Sequence, residues 1–354
     1  MNIPAYIRTF WSMALAIVIS LLSFSSCDSA IYDDEGDCSV YYRLKFRYDR
    51  NLKRADAFAH EVSSVHLYAF DKAGVLVWQR AEKVDPLTAD NYSMLLDLPA
   101  GDYQLLAWCG LQNDGEREES FSVPEARIGE TRIDELKCSL IRKYDEAGVY
   151  SKDRLYPLFH GCMDVSLPEN NDGGEYDYTM LLTKDTNHIR VILTHLSGKD
   201  VDVDKFKFRI YDENGLLGHD NETLTDETIE YRTWMTQTGE AGIGKEDARA
   251  IIYTKGAIAD LTVNRMMATH HKKMTLVITN DKGKEVVNIP VIEYALLAKD
   301  YYEMEYRRPM TDQEFLDRED DYVLTFFLDE NNEWMSSYIL IHSWRVVPQK
   351  VDLN

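Results

Sequence analysis

The sequence predicts an all-β protein of two tandem β-sandwich domains with a few short helices. Residues 40–48, VYYRLKFRY, alternate with a period of two, which is typical of a half-buried strand. The stretch VHLYAFDKAGVL (65–76) aligns without gaps on FKFRIYDENGLL (206–217), and each copy is a strand that leads into an Asp-x-x-Gly turn. In such a turn we expect Asp to accept hydrogen bonds from backbone N–H groups and Gly to have a positive φ. LVITNDKGKEVV (276–287) repeats the turn more loosely. The offset between the first two copies suits two sandwiches of similar design, each roughly 140 residues long.

The N-terminus has the layout of a secretory signal. Arg8 precedes an apolar stretch at residues 10–24, which is shorter than the about 20 residues of a transmembrane helix. Two serines and then Cys27 follow it, and this arrangement resembles a bacterial lipobox. We therefore expect a signal peptide over residues 1–26, a lipid on Cys27 and an acidic lipidated tether over residues 27–38. The alternative is an ordinary signal peptide with an unrelated cysteine nearby.

The charge of the chain restricts its partners. The formal net charge is −22, and removal of residues 1–26, which hold one Arg and no acidic residue, makes it −23. Such a chain repels nucleic acid and anionic lipid surfaces, so membrane attachment has to come from acyl chains. The composition, 45% hydrophobic and 11% aromatic, is that of a folded protein.

Four cysteines remain after the predicted lipid site, namely Cys38, Cys109, Cys138 and Cys162. An exported compartment permits two disulfides, with three connectivities, and free buried thiols are the alternative. Because the spacing is wide and contains no C-x-x-C, a zinc site is not expected.

The domain boundary is predicted after the acidic, glycine-containing stretch LPENNDGGEYD (167–177), which we interpret as a loop. The N-terminal sandwich then spans residues 39–177 and the C-terminal sandwich residues 178–354.

Two short helices interrupt the β pattern. The apolar residues of NLKRADAFAHEV (51–62) fall on one helical stripe. Thr311 followed by Glu314 is a capping-box pattern that predicts the start of a second helix.

The sequence predicts no catalytic residue, no cofactor and no metal site. GEAGIGK (239–245) nearly matches a phosphate-binding loop, but Glu246 stands where Ser or Thr is required, so we interpret it as a flexible loop and expect no nucleotide. The adjacent His270 and His271 would point apart in a strand. DREDD (317–321) lacks calcium-loop spacing and is expected to be a solvated helix end.

Aromatic residues leave a second function open. Core packing is the ordinary explanation for aromatic side chains in strand patterns, whereas an exposed set could form a platform for glycans. The residues concerned are Tyr41, Tyr68, Trp78, Trp108 and Trp234.

Four further sequence blocks are informative together, namely LPAGDYQLLAWCGL (98–111), LFHG (158–161), QEFLDREDDYVLTFFLD (313–329) and YILIHSWRVV (338–347). They resemble the FimB/Mfa2 fimbrial anchor lipoproteins of Bacteroidales. The third is the most specific, and together the blocks extend the resemblance over nearly the whole mature chain.

The resemblance implies two transthyretin-like Greek-key sandwiches and a non-enzymatic lipoprotein of the outer membrane that faces outward. Such a protein holds the base of a fimbrium, limits its length, and joins fimbrial structural subunits by β-strand addition. Carried over by position, Cys27 is the lipid attachment site, and the acidic residues 33–35 resemble a surface-export signal. No catalytic residue and no cofactor is implied. A surface glycan-binding lipoprotein and an adhesive tip subunit are the alternatives.

Overall fold

The structure, a computed structural model, describes residues 39–341 and 344–346 apart from six gaps. The gaps are residues 54, 113–117, 170–172, 196, 245–250 and 271. For residues 240–244, 251–254, 336–341 and 344–346 it describes the backbone alone.

Twelve strands and one short α-helix precede residue 185 in the described part of the chain. The strands are β1 (Val40–Arg47), β2 (Ser64–Phe70), β3 (Leu76–Lys83), β4 (Ser93–Leu96), β5 (Gly101–Cys109), β6 (Phe121–Ser122), β7 (Cys138–Leu140), β8 (Lys143–Asp145), β9 (Gly148–Ser151), β10 (Phe159–Leu167), β11 (Gly174–Leu181) and β12 (Thr183–Lys184). The helix is α1 (Phe58–Glu61), and 3-10 turns lie at Ala89–Asn91 and Ile133–Glu135.

Eleven strands and three α-helices follow in the described residues. The strands are β13 (Asn187–His195), β14 (Phe206–Asp212), β15 (Leu216–Leu217), β16 (Ile229–Arg232), β17 (Met235–Gly244), β18 (Ile251–Val263), β19 (Thr275–Asn280), β20 (Glu285–Pro290), β21 (Asp321–Leu328), β22 (Trp334–Ile341) and β23 (Trp344–Val346). The helices are α2 (Val291–Leu296), α3 (Lys299–Tyr306) and α4 (Asp312–Arg318), with 3-10 turns at Val203–Lys205 and Ala268–His270.

The N-terminal sandwich packs a three-stranded sheet, in the order β11-β1-β4, on a five-stranded sheet, β12-β10-β5-β2-β3. Alternate side chains of β1, including Leu44 and Phe46, point between the sheets. They pack with Val65 and Leu67 of β2 and Leu105 of β5. Burial of each of these side chains stabilises the folded protein by about 1.5–3 kcal/mol.

The C-terminal sandwich packs two six-stranded sheets, β17-β18-β13-β21-β22-β23 and β20-β19-β14-β16-β9-β8. Val191, Leu261 and Leu324 fill the interior from the first sheet, and Ile210 and Ile278 fill it from the second. Strands β8 and β9 come from the first half of the chain, so the two halves interlock.

The two sandwiches are joined by apolar packing. Tyr68, Leu106 and Trp108 lie on the outer face of the five-stranded sheet and belong to the same buried cluster as the C-terminal core. Interfaces between domains are ordinarily more polar and allow relative motion. A continuous apolar cluster therefore favours a rigid pair.

The predicted fold class, two tandem transthyretin-like sandwiches with a few short helices, is confirmed. The alternation in β1 is confirmed side chain by side chain, since Tyr42, Leu44 and Phe46 are buried.

The predicted turns have mixed outcomes. Asp71 accepts hydrogen bonds from the backbone of Ala73 and Val75, and Gly74 has φ +75°, as expected. Asn280 and Gly283 repeat this geometry. The prediction is wrong at 212–215, where Gly215 does not have a positive φ.

The two predicted helices form, but the first is much shorter than the helical stripe predicted over residues 51–62. It covers only Phe58–Glu61, because Asn51 and Asp56 bind nearby backbone groups and hold the preceding residues in turns. The second begins as predicted, and the Thr311 hydroxyl accepts a hydrogen bond from the Glu314 amide at 3.0 Å.

The interpretation of residues 239–245 as a flexible loop is wrong for the part that the structure describes. Residues 239–244 belong to β17, which pairs with β18 over ten consecutive residues. The expectation that His270 lies in a strand is also wrong, since it ends a 3-10 turn.

The predicted boundary between residues 177 and 178 falls inside β11. This strand pairs with β1 as far as Leu181, and β12 adds to the sheet of β10. The division into residues 39–177 and 178–354 stays a prediction, and the pairing favours a boundary after β12.

Candidate functional site

Cys27, the predicted lipid attachment site, lies outside the described residues, and so does Cys38. The described chain leads from Ser39 directly into β1. Strand β1 is therefore the structural element that follows the predicted tether.

Strand β1 is held on both sides. It runs parallel to β11 over eight residue pairs, from Val40 opposite Gly174 to Arg47 opposite Leu181, and antiparallel to β4 over four. Tension on the tether would act along the strand, across the direction of these hydrogen bonds. The bonds would then share the load instead of breaking one after another.

Ion pairs cross the outer face of the same sheet. The Arg43 guanidinium donates to both carboxylate oxygens of Glu175, at 3.0 and 2.8 Å, and Lys45 Nζ lies 2.7 Å from Asp177. All four side chains are exposed, so these pairs add little stability. The buried face of β1 contributes most of its attachment.

Most strands at the sheet edges are short or covered. In the described chain β6, β8, β12, β15 and β23 have two or three residues and β4 has four. Strand β3 is covered at its start, because the Leu76 amide donates to the Thr131 carbonyl and the Gly129 amide donates to the Leu76 carbonyl, each at 2.8 Å. Strand β20 ends at Pro290, which has no N–H, and its pairing with β19 contains an irregularity.

The five aromatic residues considered for a glycan platform do not form one exposed set in the described chain. Tyr68 and Trp108 are buried in the C-terminal cluster, whereas Trp78 packs against the N-terminal core. Trp234 is half-buried, and the Arg154 guanidinium lies 5.3 Å from its ring centre. Tyr41 is half-buried on the outer face of β1.

Some histidines of the described chain pair with polar side chains of the fold. His188 contacts Asp321 at 2.8 Å and Asp260 at 3.0 Å, and the Asp321 hydrogen bond, with help from Asp260, raises the pKa of His188 despite burial. His195 contacts Asn332 at 2.8 Å. The described residues contain no cluster of three or more His, Cys, Asp or Glu side chains that could hold a metal ion.

An open polar cleft lies at one end of the five-stranded sheet. Asp71, Asp102, Tyr103 and Asp164 line it, and Lys72 pairs with Asp102 at 2.7 Å. Tyr103 is its one aromatic side chain, so the cleft lacks the stacked rings expected of a glycan platform.

The two halves of the chain are also joined by a charged cluster. Lys184 of β12 binds Glu61 of α1 at 2.7 Å and pairs with Asp320, and Lys53 binds Glu61 at 2.6 Å. Burial raises the pKa of Glu61, but the two lysines more than offset this effect and leave it lowered. Residues from both halves therefore share one ionic contact.

A second polar contact lies beside the first. The Asn221 amide donates to Asp185 at 2.8 Å, and Arg265 donates to the Asn221 carbonyl and, at 2.9 Å, to Asp317. Asp185 is fully buried, and burial raises its pKa to about 7 against the lowering effects of Arg265 and Asn221. The sequence analysis missed this contact, since no local spacing links the four residues.

The three described cysteines, Cys109, Cys138 and Cys162, are free thiols. Cys109 and Cys138 are buried, and burial raises the pKa of both. Raised pKa values make these two thiols unreactive.

Comparisons with known proteins show the class of this protein. It matches the fimbrillin-A-associated anchor proteins Mfa1 and Mfa2 over residues 34–350. The minor fimbrium anchoring subunit Mfa2 of Porphyromonas gingivalis is 23% identical over 209 residues, which cover 58% of this chain and 61% of that protein.

Solved structures agree with this match. A candidate adhesin from Bacteroides thetaiotaomicron is 32% identical with a TM-score of 0.73, over 89% of this chain and 99% of that one. A candidate polysaccharide-binding protein of the same organism is 29% identical with a TM-score of 0.71, over 88% and 99%. The fimbrial anchor protein Mfa2 of P. gingivalis shares the fold, with 18% identity and a TM-score of 0.62 over 88% and 100%.

The protein is thus a two-sandwich protein of the fimbrial adhesion class. It belongs to the family of fimbrillin-A-associated anchor proteins Mfa1 and Mfa2. No helix among the described residues is long and apolar enough to cross a membrane.

Proposed function

We propose that this chain is an outer-membrane lipoprotein that anchors the base of a fimbrium and limits its length. The family match over residues 34–350 carries the proposal. The lipobox-like sequence before Cys27 supports it, and so does the firm seating of β1 directly after the tether.

The physical requirements of anchorage agree with these features. A single acyl chain binds a membrane marginally, at about 0.8 kcal/mol per buried CH₂, whereas two or more chains hold firmly. A lipid at Cys27 would resist tension that passes through the tether into β1. Fimbrial structural subunits would join the folded part by β-strand addition, in which main-chain hydrogen bonds provide the attachment.

Replacement of the lipid-bearing residue tests the membrane attachment. We expect Cys27→Ala to move the protein from the membrane fraction to the soluble fraction of its native host, because no acyl chain can then be attached. Cys162→Ala is the matched control, since that exposed thiol has no predicted lipid, and it should stay in the membrane fraction. Retention of Cys27→Ala at the wild-type level would contradict the lipid anchor.

Fimbriae themselves provide the second readout. A strain without this gene should shed long fimbriae into the medium. The wild-type gene should restore short, cell-bound fimbriae, and the Cys27→Ala gene should not. Unchanged fimbriae in the deletion strain would contradict the anchor role and favour the glycan-binding alternative, which likeness to a candidate polysaccharide-binding protein suggests.

A further inference from the structure

We propose that the free edge of β17 is the acceptor at which an extended segment of a fimbrial structural subunit adds to this chain. The inference rests on the proposed function and names the surface involved. It begins from the sheet edges, because strand addition needs an edge whose N–H and C=O groups are unpaired.

Three edge strands of the described chain are long, namely β3 and β11 with eight residues each and β17 with ten. Strand β3 is covered at its start and contains three charged residues. Folded proteins protect such edges with charged side chains, proline or bulges. Strand β11 carries exposed Glu175 and Asp177, and the Tyr178 hydroxyl ties it to the Ser166 carbonyl of β10 at 2.9 Å. Strand β11 is therefore protected.

Strand β17 contains no proline, and its one charged residue is Glu240. Residues 235–239, MTQTG, include no charge and no proline, and the pairing with β18 continues through all ten residues without a register shift. Thr236, Gln237 and Thr238 are exposed. Residues 235–239 thus form a regular, uncharged edge to which a further strand can add.

The two faces of this edge differ in chemistry. On one face the Ile258 side chain lies over Gly239, since a Cβ at Gly239 would come within 2.4 Å of Ile258 Cδ1. On the other face stand the hydroxyls of Thr236 and Thr238. An added strand with aliphatic residues towards Ile258 and Ser or Thr residues towards the threonines would match both faces.

The occupant is a different protein and not a second copy of this chain. Two copies, each with a net charge of −22, repel one another, and each copy of β17 itself contains an acidic residue, Glu240. A segment of a fimbrial subunit fits the family to which the chain belongs.

Binding to isolated fimbriae tests the inference. The full-length lipoprotein, purified in detergent, is mixed with fimbriae from a strain that lacks this gene, and the co-sedimenting protein is titrated. Thr238→Lys places a charge where the added strand would pack, and we expect binding to weaken at least about tenfold. Thr179→Lys, an exposed threonine on β11, is the matched control and should bind like the wild type.

Proline variants separate docking from folding. Successive residues of an antiparallel strand direct their N–H groups alternately towards and away from the neighbour. Of Gln237→Pro and Thr238→Pro, one should lose fimbria binding with an unchanged thermal unfolding midpoint, and the other should unfold at a lower temperature.

Each outcome is decisive. If Thr238→Lys binds fimbriae as well as the wild type does, the inference is wrong and the anchor function is unaffected. The same conclusion follows if Thr179→Lys alone loses binding. A wild-type dimer that Thr238→Lys converts to a monomer, with fimbria binding unchanged, would identify a second copy as the occupant and overturn the inference. Absence of wild-type binding would overturn the proposed function and the inference with it.

Discussion

Asp185 connects the two sandwiches through a contact whose charge depends on pH. It lies between β12 and β13, and Asn221, Arg265 and Asp317 surround it. Its pKa of about 7 lies above the ordinary aspartate value, so the folded protein retains a proton that the unfolded chain releases between about pH 4 and pH 7. This contribution to the free energy of unfolding is fully present below about pH 4 and is lost as the pH rises through about 7.

Asp185→Asn tests that sign. Asparagine resembles the protonated acid, so the variant should gain free energy of unfolding relative to the wild type as the pH rises from about 5 to about 8. Denaturant unfolding of both proteins across this range measures the difference. The exposed Asp90→Asn is the control, and its free energy of unfolding relative to the wild type should not change with pH. The account would be contradicted if the free energy of unfolding of the wild type rose relative to that of Asp185→Asn at high pH.

Residue patterns predicted those features that depend on neighbours in the sequence. The alternation of β1, the turn at Asp71 and the cap at Thr311 are local, and all three were predicted correctly. The contacts of Asp185 and Lys184 join residues far apart in the chain, so no local pattern could reveal them.

At the scale of elements, β1 bears the proposed load, and its buried face should set its stability. Leu44 is completely buried in the N-terminal core, and Leu44→Ala should lower the free energy of unfolding by about 2–5 kcal/mol. Lys45→Ala, on the exposed face of the same strand, should change it by less than about 0.5 kcal/mol. Chemical denaturation measures both, and equal effects would contradict the assignment of the load to the buried face.

Strand β17 shows why composition misled the prediction of an element. Its three glycines are typical of a loop, yet cross-strand pairing with β18 holds the segment extended, and Ile258 fills the space above Gly239. The predicted domain boundary depends on pairing in the same way, since the parallel register between β1 and β11 joins residues more than a hundred positions apart.

At the scale of the whole molecule, the described chain provides a continuous path for force. The predicted tether precedes β1 in the sequence, and β1 packs on the five-stranded sheet. Tyr68 and Trp108 on the far side of that sheet join the C-terminal core, and the Lys184 cluster reinforces the junction. We place fimbrial attachment in the C-terminal sandwich, on the edge strand β17.

The position of this protein on intact fimbriae tests the anchor role most directly. Immunogold electron microscopy of cells that carry a complete fimbrium, with antibody against this chain, locates it along the fibre. The account predicts label only at the membrane-proximal end. Label at the distal end, away from the cell, would contradict an anchor and identify the protein as a tip subunit.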